Sequence, residues 1–202
     1  MIWAQKDSNA SSSPLVRLDG ARVSLRPPGD ADWEEWAQVR ARNYDHLKPF
    51  EPRWPDDCLT KAFFRRRLSR QLGDWREDRG YCFLIFAKEE NRLAGGININ
   101  NVCRGAAHFA SLGYWLAADC QGRGYMHESI SLILAYGFGG LRLHRFNASC
   151  IPHNAKSRAV LERAGFREEG FAPKYLQIDG AWQDHVLYGL PREDWESRDQ
   201  DY

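Results

Sequence analysis

Residues whose types and spacing can support chemistry gather in a few stretches. In DCQGRGYMHES, residues 119–129, Gly122 and Gly124 stand one residue apart ahead of a run with helical periodicity. Such a turn lets backbone come close to a ligand, and the free N–H groups at a helix start favour an anion there. A P-loop would need Gly-Lys-Ser/Thr to close the run, and no such tripeptide follows Gly124. A dinucleotide fingerprint starting at Gly122 would need a small residue at 127, where His127 stands. Farther along, Asn154 and Ser157 lie three apart and share one helix face; Asn154 after Pro152-His153 reads as an N-cap. The loop HLKPFEPRWPDD, residues 46–57, sets Phe50, Glu51 and Trp54 among prolines, as an acceptor wall or as a hydrophobic cap on the core. Histidines at 46, 108, 127, 144, 153 and 185 lack the spacing of a zinc helix, so no metal is expected.

These groups need elements to position them. ARVSLRP alternates as a strand does, and DADWEEWAQVRARN repeats apolar residues at helical spacing through Trp33, Trp36 and Val39. A second helix is expected from about Thr60 to Asp78, with arginines 65, 66, 67, 70 and 76 read as a solvated face in preference to a basic patch for an acidic or ribosomal partner. YCFLIFA, LAGGININNV and AAHFASLGYWLA read as an antiparallel meander. YMHESISLILAYGF has a strongly apolar helical face, RFNASCI reads as a strand, and NAKSRAVLERAGF as a helix stopped by Gly165. LQIDGAWQDHVLYGL closes the series as a hairpin around Asp179-Gly180. The order implies an α+β, mixed-sheet domain over residues 15–192, with a disordered tail at 1–14 and a polar, frayed tail at 193–202.

Composition narrows the class. Lys+Arg 28 against Asp+Glu 27 gives a net charge of +1, so no global field points to nucleic acid or an anionic membrane. No 18-residue apolar span and no signal-peptide h-region are present. The 5 cysteines are odd in number, widely spread and without Cys-x-x-Cys, which argues against a disulfide framework and for a reducing cytoplasm. Cys120, beside the glycine turn, reads as a small packed residue rather than a reactive thiol.

The motifs resemble those of a known family. Gln121-Gly122-Arg123-Gly124-Tyr125-Met126 resembles the Gln/Arg-x-x-Gly-x-Gly/Ala signature of the GCN5-related N-acetyltransferases, with Met126 in place of the usual small last residue. Asn154 through Ser157, Leu161 and Gly165-Phe166 match the pattern of the RimJ/RimL branch, as does Gly113-Tyr114-Trp115-Leu116. The likeness runs from about Val23 to Leu190 and is nearest to the ribosomal-protein-alanine N-acetyltransferases. It implies a mostly antiparallel twisted sheet of about seven strands flanked by about four helices, with a splayed strand pair at the cofactor site.

The resemblance also implies roles. Acetyl-coenzyme A would be the cosubstrate, its pyrophosphate held by amides across Gln121, Gly122, Arg123, Gly124, Tyr125 and Met126, its pantetheine arm by backbone at Trp115 and Leu116. Asn154 would meet the pantetheine or acetyl end, and Arg123, Lys156 and Arg158 would face the nucleotide. Aminolysis of a thioester expels a thiolate, and Ser157 inherits the task of stabilising it, since Leu161 occupies the place where many relatives carry a tyrosine. Glu51 is the candidate general base, because the strand from Ala106 to Leu116 has no carboxylate. Tyr44, Phe50, Trp54 and Tyr175 would line the acceptor side. An α-amine with pKa near 7.8 is roughly a tenth neutral at pH 7 and a lysine about 0.04 percent, barriers of about 1 against about 4.6 kcal/mol. The resemblance implies a protein N-terminus, such as that of a ribosomal protein, as the acceptor, and such an α-amine could manage with an ordered water or one modest carboxylate. A small amine such as an antibiotic or polyamine, and a non-catalytic acyl-coenzyme A binding module, stay open, as do monomer and homodimer.

Overall fold

The computed structural model describes residue 14 and residues 16–198; the leader expected at residues 1–14 lies, but for residue 14, outside them. A short β1 (Leu18–Asp19) precedes β2 (Val23–Arg26), α1 (Trp33–Arg42), α2 (Tyr44–Leu47) and α3 (Lys61–Arg76). The meander follows as β3 (Tyr81–Ala87), β4 (Arg92–Cys103) and β5 (Phe109–Leu116). Then come α4 (Tyr125–Ala135), β6 (Arg145–Cys150), α5 (Ala155–Arg163), β7 (Arg167–Ile178), β8 (Ala181–Pro191) and α6 (Arg192–Arg198). The expected architecture stands, with differences in number. The sheet has eight strands rather than seven, the addition being the two-residue β1. The four-residue α2 interrupts the aromatic loop, and α6 occupies part of the stretch expected to be a frayed tail. Trp195 explains α6: its ring lies 5.1 Å from that of Phe138, and that contact anchors an otherwise polar helix.

One eight-stranded sheet runs in the order β1-β2-β3-β4-β5-β6-β8-β7. Every neighbouring pair is antiparallel except β5 and β6, which run parallel because α4 and its following π-helical turn (Tyr136–Gly140) cross over between them. Alternation along the meander decides the faces. Ile97, Ile99, Ala110 and Leu112 are buried in one core with Ile130, Ile133 and Phe138. Gly96, Asn98, Asn100, Ser111, Gly113 and Trp115 pair across β4 and β5 on the opposite face, where α1 and α3 pack. Each buried Ile, Leu or Phe contributes about 1.5–3 kcal/mol, which makes this two-sided core the anchor for the loops that carry polar groups.

The parallel pair is brief, and its end opens the sheet. Its register runs from Phe109↔Arg145 to Leu112↔Ala148 and stops there. β5 stays bound to β4 as far as Leu116, while β6 stays bound to β8 as far as Cys150. Gly113–Leu116 and Ser149–Cys150 therefore part, leaving a wedge in the middle of the sheet.

Candidate active site

A cleft of about 1610 Å³ occupies the wedge and continues onto the α1/α3 face of the sheet. The glycine turn stands at one end of it. Gly122 (φ 75°) and Gly124 (φ 77°) both adopt the left-handed conformation, and Gly124 is the N-cap of α4. Its α-hydrogen also permits a close approach: a Cβ there would sit 2.8 Å from Nη1 of Arg22. The first amides of a helix have no intrahelical acceptor, so the turn presents N–H donors along the cleft. The side chains of Tyr125 and Met126 are buried in the core, so these residues offer the cleft chiefly their backbone.

Side chains hold the turn in place. Glu128 accepts from both the backbone N–H and the Nε of Arg22 at 2.8 Å, tying α4 to the start of β2. Arg123 pairs with Glu90 and does not line the cleft. Asn43 accepts from the Ala118 N–H at 2.8 Å and donates to Val39 O, which joins the end of α1 to the loop before the turn. Gln121 spans the cleft: Nζ of Lys156 donates to its Oε1 at 2.6 Å, and its Nε2 lies 2.9 Å from Nε2 of His46.

At the other side of the wedge stands α5. Asn154 is its N-cap, its side chain accepting from the Ser157 N–H at 3.1 Å, as its position in the sequence predicts. The Ser157 hydroxyl lies 2.8 Å from the hydroxyl of Tyr114 on β5. Burial pushes the Tyr114 phenol well above its usual value, and the hydrogen bond to Ser157 offsets only part of this. Cys150 is also buried beside Ser157, and its thiol is pushed up by burial. Tyr114, Ser157, Cys150, Trp115 and Leu116 all line the cleft at the point where the strands part.

Arg158 departs from expectation. It donates to Tyr188 at 3.0 Å and pairs with Glu168 at 2.9 Å, on the side of α5 away from the cleft. Helical spacing explains this, since Lys156, Ala159, Val160 and Arg163 share the cleft-facing stripe and Arg158 falls outside it.

The aromatic loop forms the opposite wall, with Phe50, Glu51 and Trp54 in the lining. Glu51 receives a two-pronged contact from Arg40 at 2.7 and 2.5 Å and a third from Trp54 Nε1 at 2.8 Å. The guanidinium of Arg40 lies 4.1 Å from the Trp54 ring and 5.0 Å from that of Trp115. Glu51 is thus the acceptor in three donor contacts, an arrangement suited to a structural latch. Tyr44 stands behind the wall, edge-on to Trp54 at 5.1 Å, rather than in it. Tyr175 reaches the lining from the β7–β8 hairpin, whose tip is tied to the loop by Asp179 N–H to Glu51 O at 2.9 Å and by Lys48 to Asp179 at 3.6 Å. Gly96 lets the Trp115 indole lie across β4, for a Cβ there would meet its Nε1 at 2.6 Å.

All five cysteines are free. Among the described residues no cluster of three or more His, Cys, Asp or Glu could hold a metal ion, and no helix is long and apolar enough to cross a membrane.

Residues 22–167 match the acetyltransferase (GNAT) domain family. The [ribosomal protein uS5]-alanine N-acetyltransferase of Escherichia coli is 35% identical over 185 residues, 92% of this chain and 95% of that protein. Among solved structures, the ribosomal-protein-S5-alanine acetyltransferase of Vibrio fischeri superposes with a TM-score of 0.83 at 32% identity, covering 89% of this chain and 98% of that one. RimJ of Mycobacterium smegmatis in complex with CoA-disulfide gives 0.81 at 34% identity, covering 85% and 83%.

Proposed function

The chain belongs to the acetyltransferase (GNAT) family and is an N-acetyltransferase, and on that premise we propose that it carries an acetyl group from acetyl-coenzyme A to the α-amine of a protein N-terminus, a ribosomal protein being the acceptor class. One observation carries the reading: the parted strands bring the glycine turn at one end and the Ser157–Tyr114 hydroxyl pair at the other into a single cleft. A turn with two left-handed glycines at a helix start suits a diphosphate, and the free edge of β5 beyond Leu112 suits an extended amide-bearing arm that pairs as a strand would. Coenzyme A has both parts.

In this scheme the amine attacks the thioester carbonyl, the C–S bond breaks, and the sulfur leaves with the electron pair. Either hydroxyl of the 2.8 Å Tyr114–Ser157 contact can donate; in this scheme Tyr114 takes the donor role, which frees the serine hydroxyl to donate to that sulfur. Amides at positions 122–126 anchor the donor without a change of charge, helped by an α4 dipole worth about 0.3–1 kcal/mol when exposed. An α-amine is neutral often enough at pH 7 that an ordered water suffices to remove its proton, which leaves Glu51 to hold the wall.

Release of free thiol from acetyl-coenzyme A, followed with peptides bearing a free N-terminal alanine, with N-blocked lysine peptides and with small amines, tests the proposal. Turnover with the first set and little with the others is expected. Turnover only with small amines would replace the acceptor, and binding of acetyl-coenzyme A with no turnover on any acceptor would replace catalysis by a binding role.

A further inference from the structure

The arginines of α3 do not behave alike. Arg65 and Arg66 point outward and pair with Asp30 at 2.7 Å and Asp57 at 2.5 Å, and Arg70 and Arg76 are exposed. Arg67 turns inward, half-buried, and reaches the cleft wall beside Trp36, Arg40, Asn98 and Trp115. Its guanidinium lies 6.0 Å from the Trp36 ring, and it makes no ion pair with any carboxylate among the described residues. Behind it, Gln71 and Asn98 help to line a void of about 20 Å³, room for about a single water. On the same wall the charge of Arg40 is matched by Glu51, so Arg67 supplies a positive charge with no counterpart. Desolvation and the repulsion of Arg40 together push the Arg67 guanidinium below its usual value, as befits a cation short of an anionic partner.

We propose that Arg67 selects the acceptor, favouring chains with an Asp or Glu side chain within the first few residues behind the reacting amine and disfavouring those with Lys or Arg there. The inference rests on the N-terminal acceptor reading above. A guanidinium fork matches a carboxylate two-pronged, and the match gains strength in a site lined by Trp36 and Trp115. A lysine side chain at the same place would meet both Arg67 and Arg40. Asn98 and Asn100 share the face of the sheet beneath, and their amides can bond the backbone of an extended chain laid along the cleft.

Peptides with N-terminal alanine and either Glu or Lys at position two, three or four, assayed by thiol release at saturating acetyl-coenzyme A, test this. At one position the wild type should favour Glu over Lys by about tenfold or more in kcat/KM. Arg67→Gln and the apolar Arg67→Met should each bring that ratio near one, Arg67→Glu should invert it, and Arg70→Gln should leave it as in the wild type. Inversion by charge reversal is a signature that a purely structural role would not give. Equal rates on Glu and Lys peptides in the wild type, or a ratio that survives in Arg67→Gln and Arg67→Met, would overturn the assignment while leaving the acetyltransferase reading intact. No turnover on any of these peptides would remove both the assignment and the N-terminal acceptor reading on which it rests.

Discussion

The hydroxyl of Tyr114 on β5 lies 2.8 Å from Oγ of Ser157 on α5, although the two elements are separated by the gap in the sheet. This bond crosses the cleft where a thioester would be cleaved. Ser157→Ala should lower kcat by about 10 to 100-fold with little change in the affinity for acetyl-coenzyme A, as loss of one proton-donating contact requires. Tyr114→Phe should give a smaller loss, and the double variant should be no worse than about the serine variant alone, because the tyrosine acts through the serine. With its phenol raised by burial, Tyr114 stays protonated through the neutral and mildly alkaline range, so no descending alkaline limb in kcat should belong to it. Additive losses in the double variant would separate the two residues mechanistically.

Gly124 makes a second test. Valine there is strained at φ 77°, by roughly 1–2 kcal/mol, and its side chain meets the Arg22 guanidinium. The arginine end can swing aside, so the backbone is what decides the outcome. Calorimetry should show coenzyme A binding weakened by about tenfold or more in Gly124→Val, and adding Arg22→Ala should not restore it. Restored affinity in the double variant would place the effect in the clash instead of the turn.

The sequence made much of this legible because local rules carried it. A continuous apolar run marks β3 to its end residues, Asp179-Gly180 marks the hairpin turn, and the two glycines mark the turn at the start of α4 that lines one end of the cleft. What it did not carry depends on tertiary geometry. Period-two alternation places Tyr114 on the face opposite Trp115, yet only the crossing of α5 over that face makes its hydroxyl meet Ser157. Arg67 is one arginine in a run of three, and nothing local separates an inward one from its outward neighbours. Arg158 leaves the cleft for a reason of the same kind, since Glu168 and Tyr188, which draw it away, arrive from strands later in the chain.

The wall of the cleft depends on Arg40 and Glu51, whose side chains are only 12% and 21% exposed. Removing one member of such a pair strands the other, and Arg40 already has a buried Nε without an acceptor. Glu51→Ala should cost about 3 kcal/mol in urea unfolding, whereas Arg40→Met with Glu51→Leu should recover most of that loss. A Glu51→Ala protein of native stability whose kcat falls with a displaced acid limb would instead assign Glu51 to proton removal.

Glu128 gives the last test, through pH. Burial alone would raise its carboxyl, but the hydrogen bonds from Arg22 and from the backbone at Arg22 and Val23 outweigh this and hold it below its usual value. A carboxyl depressed in the folded state adds stability above its unfolded pKa, and that contribution fades as pH falls through the lower folded value. Wild type should therefore melt above Glu128→Gln at pH 7, and the gap should close on acidification below about pH 4, the ordinary range for a glutamate. Arg22→Met should show the same closing gap, because the guanidinium and the carboxylate act as one contact between β2 and α4. A difference in melting temperature that persists unchanged to about pH 3, below the ordinary glutamate range, would assign the effect to packing at the first turn of α4 rather than to the ionised carboxylate.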